Sequence, residues 1–397
     1  MDTNTHHRVR NAVFLGGLCS LAYLAVYLAR NILSAVTPQM LEGGYPAETF
    51  SSLSSLFFVM YAVGQLINGA VGDRIRARYM MSFGLVLAGI CTLLFPFRMG
   101  SPMEVRVLYG LTGFFLSMIY APMTRVIAEN TEPLHAVRCT LGLTAAAFFG
   151  SPLAGAAAAV LAWQSVFYVS AGALFVMGAL CFLLFLLFER RGIVTPLRTV
   201  PAKRSEGGWK LLLRHRILRF TLISVLTGII RTTVVFWMPT YFSLHLGFSA
   251  EQSAGLFTAA TLVIALSAFA SVFAYERLGQ DLHRILLLSF GAAGIFFLLA
   301  GLISLPLANI VCFVLAVFSS NCAATMLWSR YCPGLRDTGM VSTATGYLDF
   351  MSYMAAAVSS ALFADAVERI GWQKLILLCA LLMAVGAAAS RLPRERR

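Results

Sequence analysis

Residues 22–38 read AYLAVYLARNILSAVTP, and residues 224–239 read SVLTGIIRTTVVFWMP. Each is a long apolar run holding one arginine, Arg30 or Arg231, with a proline eight residues later, Pro38 or Pro239. A charge at bilayer depth costs at least ~2.5–3.5 kcal/mol on insertion scales, so one that is retained marks a pathway or a binding site. Two such cations at matching places in two half-chains predict one shared cavity that takes something negative. The competing explanations for each arginine are a buried ion pair and snorkelling to the membrane interface.

The surrounding composition fits a chain dissolved in lipid. Hydrophobic residues make up 59% of the 397 positions, charged residues only 12%, and phenylalanine alone occurs 30 times. A spanning helix needs roughly 20 apolar residues. Twelve segments qualify, near 12–37, 50–72, 79–97, 104–128, 137–161, 164–188, 216–241, 252–275, 284–303, 307–329, 339–366 and 372–390. The net charge of +13 raises the possibility of a nucleic-acid partner, but the placement of the charges argues against one. With the N-terminus inside, the outer side holds Arg98, Arg106, Arg369 and Lys374, while most other Lys and Arg fall on inner loops and the tail. That is the positive-inside bias, and it predicts both termini in the cytoplasm of a multi-pass plasma-membrane protein. Arg8 and Arg10 precede an apolar stretch long enough to span, and no clear cleavage site follows, so no signal peptide is expected. The eight cysteines show no CxxC and no metal spacing. They read as small packing residues, with no metal and no cofactor implied.

The chain repeats itself once. Arg30–Pro38 returns 201 positions later as Arg231–Pro239, and Gly44-Tyr-Pro-Ala-Glu48 returns as Gly247-Phe-Ser-Ala-Glu251. Asp73-Arg74 returns as Glu276-Arg277, and Trp163-Gln164 as Trp372-Gln373. Six helices per half make the two halves enter the membrane in the same orientation. Two parallel six-helix repeats describe the major-facilitator architecture, with its site near the midplane. The expected domains are a six-helix half over 1–188, a cytoplasmic loop over 189–215 and a second six-helix half over 216–397.

Polar residues within the helices fall on faces. Tyr23, Tyr27, Arg30 and Ser34 share one, as do Tyr61, Gln65 and Asn68, and as do Ser117, Tyr120 and Thr124. The second half offers Ser224, Thr227 and Arg231, then Thr345, Asp349 and Ser352. Such a stripe faces either a neighbouring helix or water. Interhelical hydrogen bonding accounts for Ser and Thr members, whereas Tyr suits both packing and ligand contact. Tyr27, Tyr61, Tyr120 and Tyr347 are the candidate walls of a site. Asp349 is the only acid well inside a helix; it is either a fixed counter-ion, for Arg231 or another cation, or a proton-coupling group.

Gly69-Ala-Val-Gly72-Asp73-Arg74-Ile-Arg76-Ala-Arg78 resembles the major-facilitator signature G-x-x-x-D-R-x-x-x-R. The resemblance implies that Gly69, Asp73, Arg74 and Arg78 form a gate at the cytoplasmic face. Within that superfamily, YLARNILSAVTP is similar to the first helix of the organophosphate:phosphate antiporters, and WMPTYF after Arg231 resembles their W-x-P-T-Y. This implies that Arg30 and Arg231 stand where that family has its two phosphate-binding arginines, and Tyr61 where it has a site tyrosine. The chain departs from the family at Gln65, where the glycerol-phosphate transporters have lysine. It departs again in LTAAAFFGSP, where they have a histidine, and at Asp349, where a small residue is usual. An organic carboxylate, as in the related anion:cation symporters, therefore fits as well as a phosphate ester.

The function expected is secondary transport of a small organic anion by alternating access, coupled to a proton or to a counter-anion. The protein is expected to act as a monomer in the lipid bilayer. Gly150-Ser-Pro152-Leu-Ala-Gly155 partly resembles the G-P-x-x-G motif of drug:proton antiporters, which is one alternative. A non-transporting sugar-phosphate sensor is another. No nucleophile–base–orienter set appears, so no catalytic residues and no enzyme are expected.

Overall fold

Apolar runs of this length must satisfy every backbone N–H and C=O internally once in lipid, which leaves helices as the economical solution. The computed structural model describes residues 3–72, 75–195, 213, 216–335 and 341–391. Among these, regular structure is entirely helical: α1 (Thr3–Glu42), α2 (Ala47–Gly72), α3 (Ala77–Leu94), α4 (Pro102–Leu116), α5 (Tyr120–Asn130), α6 (Pro133–Val160) and α7 (Trp163–Arg190). The second half follows with α8 (Ile217–Gly228), α9 (Val235–Leu244), α10 (Ala250–Ala265), α11 (Ser267–Arg277), α12 (Leu282–Leu302), α13 (Pro306–Met326) and α14 (Val341–Ser390).

Several of these are pieces of one span. Pro122 has no N–H, and its ring crowds the carbonyl four residues back, so the helix breaks between α4 and α5 at Ser117–Ile119. Ser117 reinforces the bend by bonding its Oγ to the Phe114 carbonyl at 2.6 Å. At 50 residues, α14 would run ~75 Å straight, more than twice a hydrocarbon core of about 30 Å. Gly371, at φ 78 and ψ 162, splits it into two legs. Among the described residues, eleven helices are long and apolar enough to cross a membrane. Because the last of them holds two legs, the twelve expected crossings are accounted for.

The chain divides into two units, one of Met1–Thr49, Leu56–Pro201 and Ala250–Thr258, the other of Phe50–Ser55, Ala202–Ser249 and Ala259–Arg397. In the first unit, Glu42 Oε1 accepts from the Ala250 N–H at 3.0 Å, placing a carboxylate on the N-terminus of α10. A Cβ on Gly155 of α6 would meet Thr258 Oγ1 at 2.3 Å, and Thr258 donates to the Pro152 carbonyl. Gly150 admits Tyr27 of α1 in the same way, its missing Cβ lying 2.3 Å from the tyrosine's. The run that partly resembles the antiporter motif thus has a packing role of its own.

The repeat is visible inside each unit as one recurring contact. In the first, Asn68 of α2 donates to Ser117 at the α4–α5 break, 2.7 Å away. In the second, Asn321 of α13 donates to Ser267 at the α10–α11 break, also at 2.7 Å. A single amide–hydroxyl bond across the pair braces the interrupted helix each time.

Candidate functional site

In the first unit, Arg30 is half-buried on α1 and surrounded by rings. Its guanidinium carbon lies 5.2 Å from the Tyr61 ring centre, 5.5 Å from Tyr27 and 5.9 Å from Phe58. Aromatic faces hold a cation without cancelling its charge. Tyr61 is 2% exposed and stacks on Phe57, which in turn packs on Tyr109 at 5.0 Å. Tyr23 joins Tyr27 at 4.9 Å edge-on and Tyr120 at 5.6 Å. Three of the four candidate tyrosines therefore belong to one cluster. Tyr27 and Tyr61 touch Arg30 directly, and Tyr120, 42% exposed, connects through Tyr23. Phe58 and Tyr109 were not singled out from sequence. Phe58 lies within a run, SLFFVMY, whose uniform apolarity hides which ring faces the cation.

In the second unit, Arg231 lies in a different backbone. Residues Ile229–Val234 form a π-helical turn between α8 and α9, closed by Val235 N–H bonding back five residues to the Ile230 carbonyl. Such turns are rare and are often found at functional sites. Pro239 removes a donor just beyond, so the wide turn lies where the regular ladder is already interrupted. The α8 segment is pinned to α14 by Ser224 Oγ on the Leu348 carbonyl at 2.7 Å, and by Thr233 Oγ1 on the Ala356 carbonyl and Ser359 Oγ. Gly228 admits the close approach, since a Cβ there would meet Ser352 Oγ at 2.3 Å. Arg231 is half-buried and makes no ion pair with a carboxylate among the described residues, Asp349 included.

Asp349 and Tyr347, both half-buried, lie two positions apart on α14 and so on different faces. Asp349 acts on the Cys332 thiol just past α13. Burial pushes that thiol up to about 11, a Thr345 hydrogen bond pulls it down, and the Asp349 carboxylate raises it again. The acid thus lies near the Cys332 thiol beyond α13.

Of the predicted gate, Asp73 and Arg74 lie outside the described residues, and Gly69 is on α2. Arg78 opens α3 and pairs with Glu189 near the end of α7 at 3.0 Å. Its other nitrogen donates to Tyr79 Oη at 2.7 Å, and Phe182 lies 5.3 Å from its centre. Nearby, Arg125 of α5 donates to the Ile75 carbonyl at 3.2 Å, holding the chain just beyond α2. Its counterpart in the second unit, Arg330, lies over the Tyr275 ring of α11 at 4.9 Å.

The sequence pattern of the Major Facilitator Superfamily matches residues 19–341. The chain belongs to that superfamily. Among its relatives, this major-facilitator chain is 35% identical over 96 residues to the membrane sensor protein UhpC of Escherichia coli, a match covering 24% of this chain and 22% of the sensor. It is 24% identical over 392 residues to the phosphoglycerate transporter protein of Salmonella typhimurium, covering 91% of this chain and 83% of that one. The chain thus spans about a fifth of the sensor and most of the transporter. The fold also matches a solved bacterial homolog of the human lysosomal transporter Spinster, inward-facing and unoccupied. There the TM-score is 0.74 at 12% identity, with 96% of each chain covered.

Proposed function

We propose that this major-facilitator protein is a secondary transporter of a small organic anion, a carboxylate or phosphate ester, working by alternating access. Arg30 and Arg231 are the cations that bind the anionic group, through charge-assisted hydrogen bonds. Tyr27, Tyr61 and Tyr120 line the Arg30 side, and Tyr347 contributes from the other half. The observation that carries this reading is Arg231, a half-buried arginine in the middle of a span, in a π turn, with no carboxylate paired to it among the described residues. A cation kept there without a fixed counter-charge awaits a mobile one. The likeness to transporters named for phosphoglycerate and glycerol-3-phosphate supports an anionic cargo.

The protein resides in the cytoplasmic membrane with both termini inside, as one chain. Its halves run over 1–188 and 216–397, joined by the loop at 189–215. A proton or a counter-anion balances the charge moved, and Arg78 and its neighbours Asp73 and Arg74 belong to the cytoplasmic gate. The test is uptake by proteoliposomes loaded with phosphate or with buffer, screening phosphate esters, sugar acids and dicarboxylates. Saturable uptake of at least one anion is expected. Stabilisation by an anion in a melting assay without any flux would instead support a sensor, the reading that the UhpC match favours. Neither flux nor stabilisation by any anion would overturn both.

A further inference from the structure

The two units treat one junction differently. In the first, the start of α3 meets the end of α7, and the buried Arg78 there is neutralised by Glu189. In the second, the corresponding helices are α12 and the last leg of α14, and the arginine at their junction comes from α8. Arg219, 8% exposed, donates from Nη2 to the carbonyl of Ser390, the last residue of α14, at 2.7 Å. The same nitrogen lies 3.2 Å from His283 Nδ1 in the first turn of α12. Its Nε and Nη1 are buried with no hydrogen-bond partner, and no carboxylate pairs with it among the described residues. The nearest acid in sequence to His283, Asp281, is engaged elsewhere. It caps α12 by accepting from the His283 and Arg284 N–H groups and bridges Arg284 at 3.4 Å.

A second feature adds positive charge instead of relieving it. Arg216 precedes the N-terminus of α8 in a left-handed conformation, φ 60 and ψ 36, which non-glycine residues adopt at a cost. Two arginines three residues apart at a helix N-terminus add to its positive end, and a buried guanidinium N–H left without an acceptor is destabilising.

We infer that Arg219 is the centre of a second anion site, separate from Arg231, which takes a phosphate oxyanion where the first unit has Glu189. Two buried N–H groups without an acceptor, on a guanidinium with no carboxylate partner among the described residues, call for an oxyanion, and phosphate oxygens accept such charge-assisted bonds. Leu218 and Leu222 flank Arg219 on α8 and are 64% and 38% exposed. In a membrane-spanning chain that surface meets lipid, so a phospholipid head group can reach the junction with its chains along the two leucines. Inorganic phosphate offers the same oxygens from the aqueous side. The site stands whether or not the chain transports.

The experiment is thermal melting of the full-length, delipidated protein in detergent. One arm adds phosphatidylglycerol against phosphatidylcholine, and the other adds inorganic phosphate against chloride at equal ionic strength. The expected result is a rise of about 3 °C or more with phosphatidylglycerol, kept in Arg231→Lys and lost in Arg219→Gln. A rise with phosphatidylglycerol alone assigns the site to lipid, and an equal rise with inorganic phosphate assigns it to a free anion. Ser390→Asp supplies a carboxylate at the junction and serves if Arg219→Gln does not fold. It should melt higher than wild type without additive and lose at least half of the shift. A wild-type protein indifferent to both additives, or a shift untouched by these variants, overturns the site.

Discussion

Arg78 and Glu189 form a 3.0 Å ion pair with side chains 8% and 10% exposed, tying the first turn of α3 to the end of α7. Removing one partner of a buried pair strands the other charge and costs ~3–5 kcal/mol, whereas an apolar replacement of both is often neutral. Glu189→Gln should therefore melt well below wild type, and Arg78→Met combined with Glu189→Leu should recover most of the loss. A Glu189→Gln protein that melts like wild type would show that the pair is not structural.

Tyr241 gives a second test, because it separates packing from substrate contact inside the W-M-P-T-Y stretch. Its hydroxyl donates to Asn309 Oδ1, and Asn309 Nδ2 caps the end of α12 through the Ala300 and Ile303 carbonyls at 2.7 and 3.0 Å. Tyr241→Phe leaves a buried acceptor unmet, a loss of ~1–3 kcal/mol. Thermal stability should fall while the apparent KM for the transported anion stays within about twofold of wild type. A large rise in KM with unchanged melting would place Tyr241 at the site instead.

Gly228 precedes the π turn that carries Arg231. A Cβ there would meet Ser352 Oγ at 2.3 Å, the Ser352 carbonyl oxygen at 2.8 Å and its Cα at 3.0 Å. Two of these are backbone atoms, which cannot rotate away. Gly228→Ala should push α8 from α14 and cut transport severely, on the order of the ~1–3 kcal/mol that overpacking costs. Adding Ser352→Ala should not restore it, since the backbone contacts remain; full recovery in the double variant would refute the close-approach argument.

How far sequence reading reached follows from what each signal depends on. Apolar length and charge placement are local properties, so the spans and the two-fold repeat were legible, down to the offset joining Arg30 to Arg231. The stripe joining Tyr27 to Arg30 was legible too, because helical spacing on α1 puts them side by side, whereas Tyr61 meets Arg30 only through the packing of α2 on α1. Three features were not. The π turn at Ile229–Val234 depends on how α8 meets α14, and nothing in IIRTTV marks it. Arg219 looked like one more basic residue near the central loop, because its burial against Ser390 joins positions 171 apart. Glu189 read as the edge of the loop for the same reason, its partner lying far back at the start of α3.

The clamp itself is tested by keeping the charge and changing its shape. Lysine offers a compact ammonium where arginine offers a planar fork of donors matched to carboxylate and phosphate. Arg231→Lys should lower kcat/KM at least about tenfold, a loss of roughly 1.4 kcal/mol of binding in the transport cycle, with normal expression and melting. Arg30→Lys should behave alike and also lose contact with the Tyr27 and Tyr61 rings. Wild-type rates in both would remove the two-arginine site.

Asp349 decides the energetics. Carrying one net negative charge inward against an interior-negative potential costs about 2.3 kcal/mol per 100 mV. An anion importer offsets this by exchange for another anion or by taking cations along. Two arginines already balance a dianion, so a pure exchanger has no use for a further acid near its path. Asp349 is half-buried on α14, makes no ion pair with Arg231, and lies close enough to influence the thiol of Cys332. Asp349 is therefore the candidate for the group that carries the coupling proton. In proteoliposomes, Asp349→Asn should then abolish uptake driven by an inward pH gradient while leaving substrate-for-substrate exchange within about twofold of wild type. Exchange isolates the steps that need no net proton movement, so a folding defect would depress both assays together. Gradient-driven uptake that survives the substitution would make Asp349 a structural acid and favour counter-anion exchange.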